Sequence, residues 1–378
     1  MVALAALVAV VAVLWFQGRS LRSSEPSPSP VATTFGPSRP PAARIVTGEA
    51  RLDAIARAQV WHEPARGAGR SPLPASAVID ALSCRFVLKH LSGTTPKFNC
   101  ILQTGEEVRI KYGKAAEIPA EAAATRLLRA LGFGADEITL VRDLRCYGCP
   151  LEPFVTSKAV QSVRAGAVYE KVLDYDDFHD YEWVALERKY PGWPIETATL
   201  EGWAFPELDR VDASKGGAPR AHVDALRLAA VFLAHWDNKA DNQRLVCDRR
   251  EWPEGAPCAA PLMMLQDLGA TFGPRKVSLR RWRTSTIWSD RVRCRITMRH
   301  LPYSGATFVD TRVSEEGRQL AARLFARLTD DDIADLFRGA TDPLLVLKWK
   351  EVYEALENAT DRCEDVANVI EGVVLEHA

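Results

Sequence analysis

The chain has 378 residues, long enough for a large core and for two lobes. Lys and Arg number 48 against 49 Asp and Glu, a formal net charge of -1, so no overall positive field favours nucleic acid as a partner. Apolar residues at 47% and charged residues at 26% are the proportions of an ordinary globular body. Val2 to Phe16 is an uncharged apolar run followed by Arg19 and Arg22. It is shorter than the roughly 20 residues that span a bilayer comfortably, so residues 1–18 are expected to form a short membrane anchor or a signal segment. No small-x-small cleavage site precedes Gln17, which favours the anchor. Arg19 and Arg22 on the body side favour cytoplasmic retention. The cysteines and the linker favour the outside, so the membrane side stays open.

Residues 19–45 are rich in Ser, Pro and Arg and bury too little to fold, which predicts a disordered tether. A strand meander follows. Cys84–Leu91 is strand-like, Ser92–Lys97 has turn chemistry, Phe98–Gln103 is the return strand, and Val108–Tyr112 is a third strand. Alternation in the third strand puts Val108, Ile110 and Tyr112 on one face and Arg109 and Lys111 on the other. A helix is predicted from about Pro119 to Leu131, with Pro in its first turn and Gly132 at its end. Glu121 lies on its apolar stripe with Ala124, Leu128 and Leu131, and a carboxylate there requires a partner. A second helix, about Ala221 to Ala234, runs directly into His235. Gln243–Cys247 and Pro261–Gln266 read as short strands, and the tail from Ser314 to about Val374 reads as helices. The order is β-rich then α-rich. That predicts an α+β, two-lobe body, with an N-lobe at 46–202 and a C-lobe at 203–378.

Eight cysteines, an even number, permit full pairing and equally permit free thiols. Cys146-Tyr-Gly-Cys149 has the spacing of half a zinc ribbon, and Cys247 and Cys258 are the only similar pair. A Cys247–Cys258 disulfide would staple the loop between Asn242 and Asp267 and is expected if the body lies outside the membrane, with plain buried thiols as the alternative.

Phosphoryl transfer needs phosphates held, their charge neutralised by metal and an acceptor oriented. Asp237, where a helix gives way to a loop, can orient an acceptor hydroxyl and take its proton. Lys239 can reach the transferring group. Asn242 and Asp267 offer the hard oxygen ligands that Mg²⁺ prefers. Lys111 can hold nucleotide phosphates with Glu121 fixing it. The turn Ser92–Thr95 has backbone N–H groups at Gly93, Thr94 and Thr95 that can approach phosphates, and Lys97 adds charge.

His235-x-Asp237-x-Lys239-x-x-Asn242 resembles the catalytic loop of the protein-kinase superfamily, Asp267-Leu268-Gly269 resembles its metal-binding triplet, and Val108-Arg-Ile-Lys111 resembles its third-strand lysine motif. The resemblance implies a two-lobe fold with ATP and Mg²⁺ in the cleft between lobes. It implies His235, Asp237 and Lys239 in the catalytic loop, Asn242 and Asp267 as metal ligands, and Lys111 with Glu121 as the ion pair. Trp203–Leu208, with Glu207, resembles the hinge that seats adenine. The chain departs from ordinary Ser/Thr kinases in having one Gly in the first turn, Lys111 and Glu121 only ten residues apart, and no Ala-Pro-Glu element. It is closer to atypical branches, the HipA-like, lipid and secretory-pathway kinases. The resemblance covers residues 84–275. The expected function is an ATP- and Mg-dependent, membrane-tethered phosphotransferase acting on an unknown hydroxyl of a protein, lipid or small molecule. The alternatives are a pseudokinase scaffold, a disulfide- or zinc-stabilised envelope protein without nucleotide, and transfer of AMP.

Overall fold

A computed structural model of the protein describes residues 41–64, 78–248, 252–273, 277–301 and 310–329, with Asp332 and Leu336. The expected anchor, most of the tether and the tail beyond Leu336 lie outside the described residues. No described helix is long and apolar enough to cross a membrane.

The chain is mixed α and β and forms two compact units that interleave in sequence. The first draws on residues 78–118 and 139–188, the second on residues 41–64, 119–138 and 189 onward. This differs from a single division at 202/203. Segments 41–64 and 119–138 carry Ile55, Val60, Leu127, Leu128 and Leu131, all at most 1% exposed, and these fill the core of the later part of the chain.

The first unit is a closed barrel of β2 (Val78–Val87), β3 (Lys97–Leu102), β4 (Glu107–Lys111), β6 (Phe178–Arg188) and β5 (Glu137–Tyr147). Strands β2 and β5 are parallel; β2–β3, β3–β4 and β4–β6 are antiparallel. The predicted meander is present, with the first strand beginning at Val78. Side-chain alternation fills the interior with Phe86, Phe98, Cys100, Val108, Ile110 and Leu186. Between β5 and β6 lies a helix, α3 (Pro153–Ser162), whose Gln161 donates to the Lys89 carbonyl at 2.5 Å.

The second unit holds a four-stranded sheet ordered β1 (Arg44–Ile45), β7 (Trp193–Glu196), β8 (Gln243–Cys247) and β9 (Pro261–Leu265). Around it lie α1 (Gly48–Ala56), the larger part of α2 (Glu117–Ala130), α4 (Arg220–Phe232), α5 (Leu279–Arg283) and α6 (Glu315–Phe325). A small sheet of β10 (Trp288–Asp290), β11 (Arg295–Ile296) and β12 (Thr311–Arg312) completes it. Helix α2 ends where the sequence predicts. Gly132 has φ +92°, and a Cβ there would lie 2.2 Å from the His62 carbonyl oxygen. Helices α4 and α6 approach closely because Gly317 lacks a side chain opposite Asp224.

Among the described residues three disulfides form: Cys84–Cys100, Cys146–Cys149 and Cys247–Cys258. The last is the staple that the sequence predicts for a body outside the membrane, and it ties β8 to the segment that leads into β9. Cys146 and Cys149 bond to each other and do not form half of a zinc ribbon. Cys294 is a half-buried thiol, and Cys363 lies outside the described residues.

Candidate active site

Helix α4 is amphipathic, with Val223, Leu226, Ala230 and Leu233 buried in the second unit's core. It closes with paired backbone bonds, Ala234 N–H to Val231 O at 3.0 Å and His235 N–H to Ala230 O at 3.0 Å. This is a Schellman end, and Ala234 takes its left-handed position with φ +52°, where glycine is usual. The chain therefore turns sharply into the loop at His235. His235 is fully buried, and its Nε2 lies 3.2 Å from the Gln243 side-chain amide. Burial pushes its imidazole down to about 4, and the nearby Asp267 carboxylate offsets only part of that. The ring is neutral and sits at the base of the loop.

From there the loop folds back on itself. Asn238 Nδ2 donates to the His235 carbonyl at 2.9 Å, and Asn242 N–H donates to the Lys239 carbonyl at 3.0 Å. Asn242 Nδ2 donates to the Asp237 carbonyl at 2.6 Å, which turns Oδ1 away from that carbonyl. Asp237 is half-buried and Lys239 is exposed.

The β8–β9 hairpin brings in the second motif. Gln243 and Leu265 are register partners, so Asn242 and Gln266 are the next residues out on either strand. Gln266 N–H donates to the Asn242 carbonyl at 3.1 Å, and Gln266 Nε2 donates to the Asp241 carbonyl at 3.0 Å. Asp267 follows at once and is exposed, while Leu268 beneath it is fully buried. Asp267 has φ +51°, a left-handed backbone that costs a non-glycine residue about 1–2 kcal/mol and concentrates at functional sites. Two further bonds tie the segments together: Trp236 N–H to Ala270 O at 3.3 Å and Phe272 N–H to Leu233 O at 2.7 Å. The loop at 235–242 and the triplet at 267–269, 25 residues apart from Asn242 to Asp267, thus form one constellation in the second unit.

The first unit gathers cations. Lys97 and Lys111 face each other across β3 and β4, at 8% and 3% exposure. Like charges directly opposite are unfavourable, and a nearby carboxylate offsets this. Lys111 Nζ lies 3.5 Å from Glu187 Oε2. Lys97 Nζ reaches back to 3.3 Å from where a Cβ on Gly93 would sit, and Gly93 has φ +75°. Lys158 of α3 donates to the Gly93 carbonyl at 2.6 Å. Thr94 is exposed, and Thr95 Oγ1 is 3.1 Å from a Glu117 carboxylate oxygen.

Glu121 belongs to the second unit and is 3% exposed, as its place on the apolar stripe requires. Glu207 is held by Arg51 through bonds of 2.7 and 2.8 Å and accepts from Ala204 N–H at 2.9 Å. Burial pushes its carboxyl up, and those donors more than offset this, leaving it below the usual carboxylate range. Glu187, Gln243 and Gln266 were not singled out from the sequence. Glu187 ends the buried run Val184-Ala185-Leu186, and a charge closing such a run is the signal that marks it.

Among the described residues, no group of three or more His, Cys, Asp or Glu side chains is placed to hold a metal ion alone. The donor set at the hairpin nonetheless suits Mg²⁺. That ion takes one or two protein oxygens and completes its shell with water and phosphate, and Asn242 with the exposed Asp267 offers that pair.

No protein-family model matches the sequence. A UPF0111 protein, YkaA, of Bacillus subtilis is 39% identical over 46 residues, 12% of this chain and 22% of that protein. A putative pit accessory protein of Rhizobium meliloti is 42% identical over 53 residues, 14% of this chain and 25% of that protein. The chain spans about a quarter of the length of these curated relatives. Among solved structures, a Helicobacter pylori proinflammatory kinase, CtkA, is similar at 12% identity and a TM-score of 0.41, covering 77% of this chain and 97% of that one.

Proposed function

We propose that this chain is an ATP- and Mg²⁺-dependent phosphotransferase of two-lobe, kinase-like fold that moves the γ-phosphoryl group to a hydroxyl acceptor. The observation that carries this reading is the β8–β9 hairpin, which sets Asn242 beside the Gln266–Asp267 step while Asn242 Nδ2 holds the Asp237 carbonyl at 2.6 Å. A base, an amide ligand and a carboxylate ligand then belong to one constellation. Asp237 orients the acceptor hydroxyl and takes its proton. Lys239, exposed beside it, neutralises charge on the transferring group. Asn242 and Asp267 would hold Mg²⁺, which when bound neutralises phosphate oxygens. Lys97 and Lys111, with the Gly93–Thr95 turn, are the proposed phosphate contacts. His235, buried and neutral, is a positioning residue for the loop. Glu121 as a partner for Lys111, and Glu207 as part of an adenine seat, are kept as parts of the same proposal. The apolar run Val2–Phe16 supports a membrane tether.

The test uses purified chain with γ-labelled and α-labelled ATP and Mg²⁺, read by mass spectrometry of whatever becomes modified, the chain itself included. A γ-phosphoryl mass on product from wild type and none from Asp237→Ala is the expected result; an AMP mass would replace phosphoryl transfer with adenylyl transfer. Three disulfides favour a second reading, a disulfide-stabilised protein of an oxidising compartment that binds no nucleotide. A melting temperature unmoved by millimolar ATP and Mg²⁺ would select it.

A further inference from the structure

The proposed phosphotransfer chemistry leaves four buried sulfurs of the barrel unused. Cys84 on β2 and Cys146 on β5 are register partners in a parallel ladder, so their side chains leave the sheet on the same face. Cys100 on β3 sits opposite Phe86, diagonal to Cys84, and bonds to it. Cys149 turns back after Gly148 and bonds to Cys146. All four belong to one buried cluster, none more than 4% exposed. Two disulfides therefore lie side by side on neighbouring strands.

The two bonds differ in strength for a simple reason. Cys146–Cys149 spans a sequence separation of 3, against 16 for Cys84–Cys100 and 11 for Cys247–Cys258. A short loop gains least from closure, and the difference between separations of 3 and 16 is worth about an order of magnitude in the exchange equilibrium. Cys146–Cys149 sits at a strand end, since Cys149 lies just beyond β5. Its turn carries Gly148 at φ +70°, covered by the Tyr175 ring, which would lie 2.6 Å from a Cβ there and is itself 40% exposed.

We propose that Cys146–Cys149 is a redox-active disulfide through which a dithiol in excess reduces Cys84–Cys100, the excess driving a transfer that the loop lengths disfavour about tenfold. A thiolate of the dithiol attacks Cys149 Sγ, breaking the bond to Cys146, which leaves as a thiolate. The second thiol of the dithiol releases Cys149 and departs as a disulfide, so two electrons and two protons have entered the pair. Cys146 thiolate then attacks Cys84 Sγ across the ladder and expels Cys100 thiolate, which is protonated. Cys149 thiolate attacks Cys146 Sγ, restores the original bond and frees Cys84. The net result is a reduced Cys84/Cys100 pair and the loss of the covalent tie between β2 and β3, the strand that carries Lys97.

Two measurements on the full chain decide the matter. Wild type is titrated with dithiothreitol, quenched in acid, alkylated and mapped by peptide mass. Cys146 and Cys149 are expected to be alkylated before any other bonded pair; their being the last to open overturns the proposal. Cys149→Ser leaves Cys146 as a thiol in register with Cys84. Its map at mildly alkaline pH is expected to contain a Cys84–Cys146 linked peptide with Cys100 alkylated. A map holding only Cys84–Cys100, with Cys146 alkylated, overturns the relay, and if that variant fails to fold the wild-type order of opening still decides.

Discussion

Replacing Asp267 by Asn separates chemistry from fold. Asp267 is exposed, so its charge contributes little to packing, while its backbone at φ +51° asks for a residue that tolerates the left-handed region. Asn and Asp tolerate it about equally, so Asp267→Asn is expected to keep the wild-type melting temperature. Asp267→Gly removes strain of about 1–2 kcal/mol and adds about 0.4–1 kcal/mol of unfolded-state entropy, so its stability is expected to lie level with or slightly above wild type. Both lose the anionic ligand. If that carboxylate supplies about 4 kcal/mol of transition-state stabilisation through the metal, turnover falls about a thousandfold in both. Saturating ATP and Mg²⁺ at about 100 times Kd would stabilise wild type by about 2.7 kcal/mol, a rise of roughly 3–5 °C in a chain of this length, and most of this should vanish in the variants. The assay pairs a thermal melt, with and without nucleotide and metal, with single-turnover label transfer. Wild-type turnover in folded Asp267→Asn would refute the assignment of that residue to the metal.

Three other outcomes follow from the same geometry. His235 is held down to about 4 in the folded chain against 6.5 free, so the unfolded state binds more protons between those values and stability is lost as pH falls through that window. The loss sums to roughly 3 kcal/mol, and urea unfolding of wild type against His235→Gln from pH 7 to 4 should show it only in wild type. Gly317→Ala would set a Cβ 2.6 Å from Asp224 Cβ where α6 crosses α4, at a cost of about 1–3 kcal/mol by denaturant melt. Removing Cys247 and Cys258 together, as Ser, opens a loop of separation 11 and should cost about 3 kcal/mol, read as a lower urea midpoint against oxidised wild type.

The elements legible in the sequence are those with a local signal. Alternation gave Val108, Ile110 and Tyr112 to the barrel interior, and Pro and Gly bracketed α2 within two residues of its observed start and end. The two motifs of the proposed site in the second unit come together for a related reason. Its residues lie in two short runs, and the intervening chain is a single hairpin, so local pairing alone brings Asn242 to Gln266. The strand Phe178–Arg188 escaped notice because its outward positions are charged and its buried run Val184–Leu186 is short. With it went Glu187, the carboxylate 3.5 Å from Lys111. A strand lysine has no local signal for its partner, since that partner arrives on another strand 76 residues later.

The same distinction explains why unit boundaries differ from a sequential reading. Hydrophobic periodicity says that a helix has a buried face but not which core receives it. Residues 119–138 read as part of the first lobe because they follow its strands, yet their apolar residues belong to the same core cluster as Leu226, Ala230 and Leu265 of the second. Glu121 sits on that stripe at 3% exposure, so the helix commits a charge to a buried face. Apolar burial alone would disfavour that placement by several kcal/mol, which makes Glu121 a residue retained for what it pairs with and not for what it packs against. A Glu121→Gln variant keeps the shape and the hydrogen-bonding capacity but removes the charge. On the proposed chemistry it should melt within about 1–2 kcal/mol of wild type while its KM for ATP rises. A variant as active as wild type would leave the carboxylate with a structural role alone.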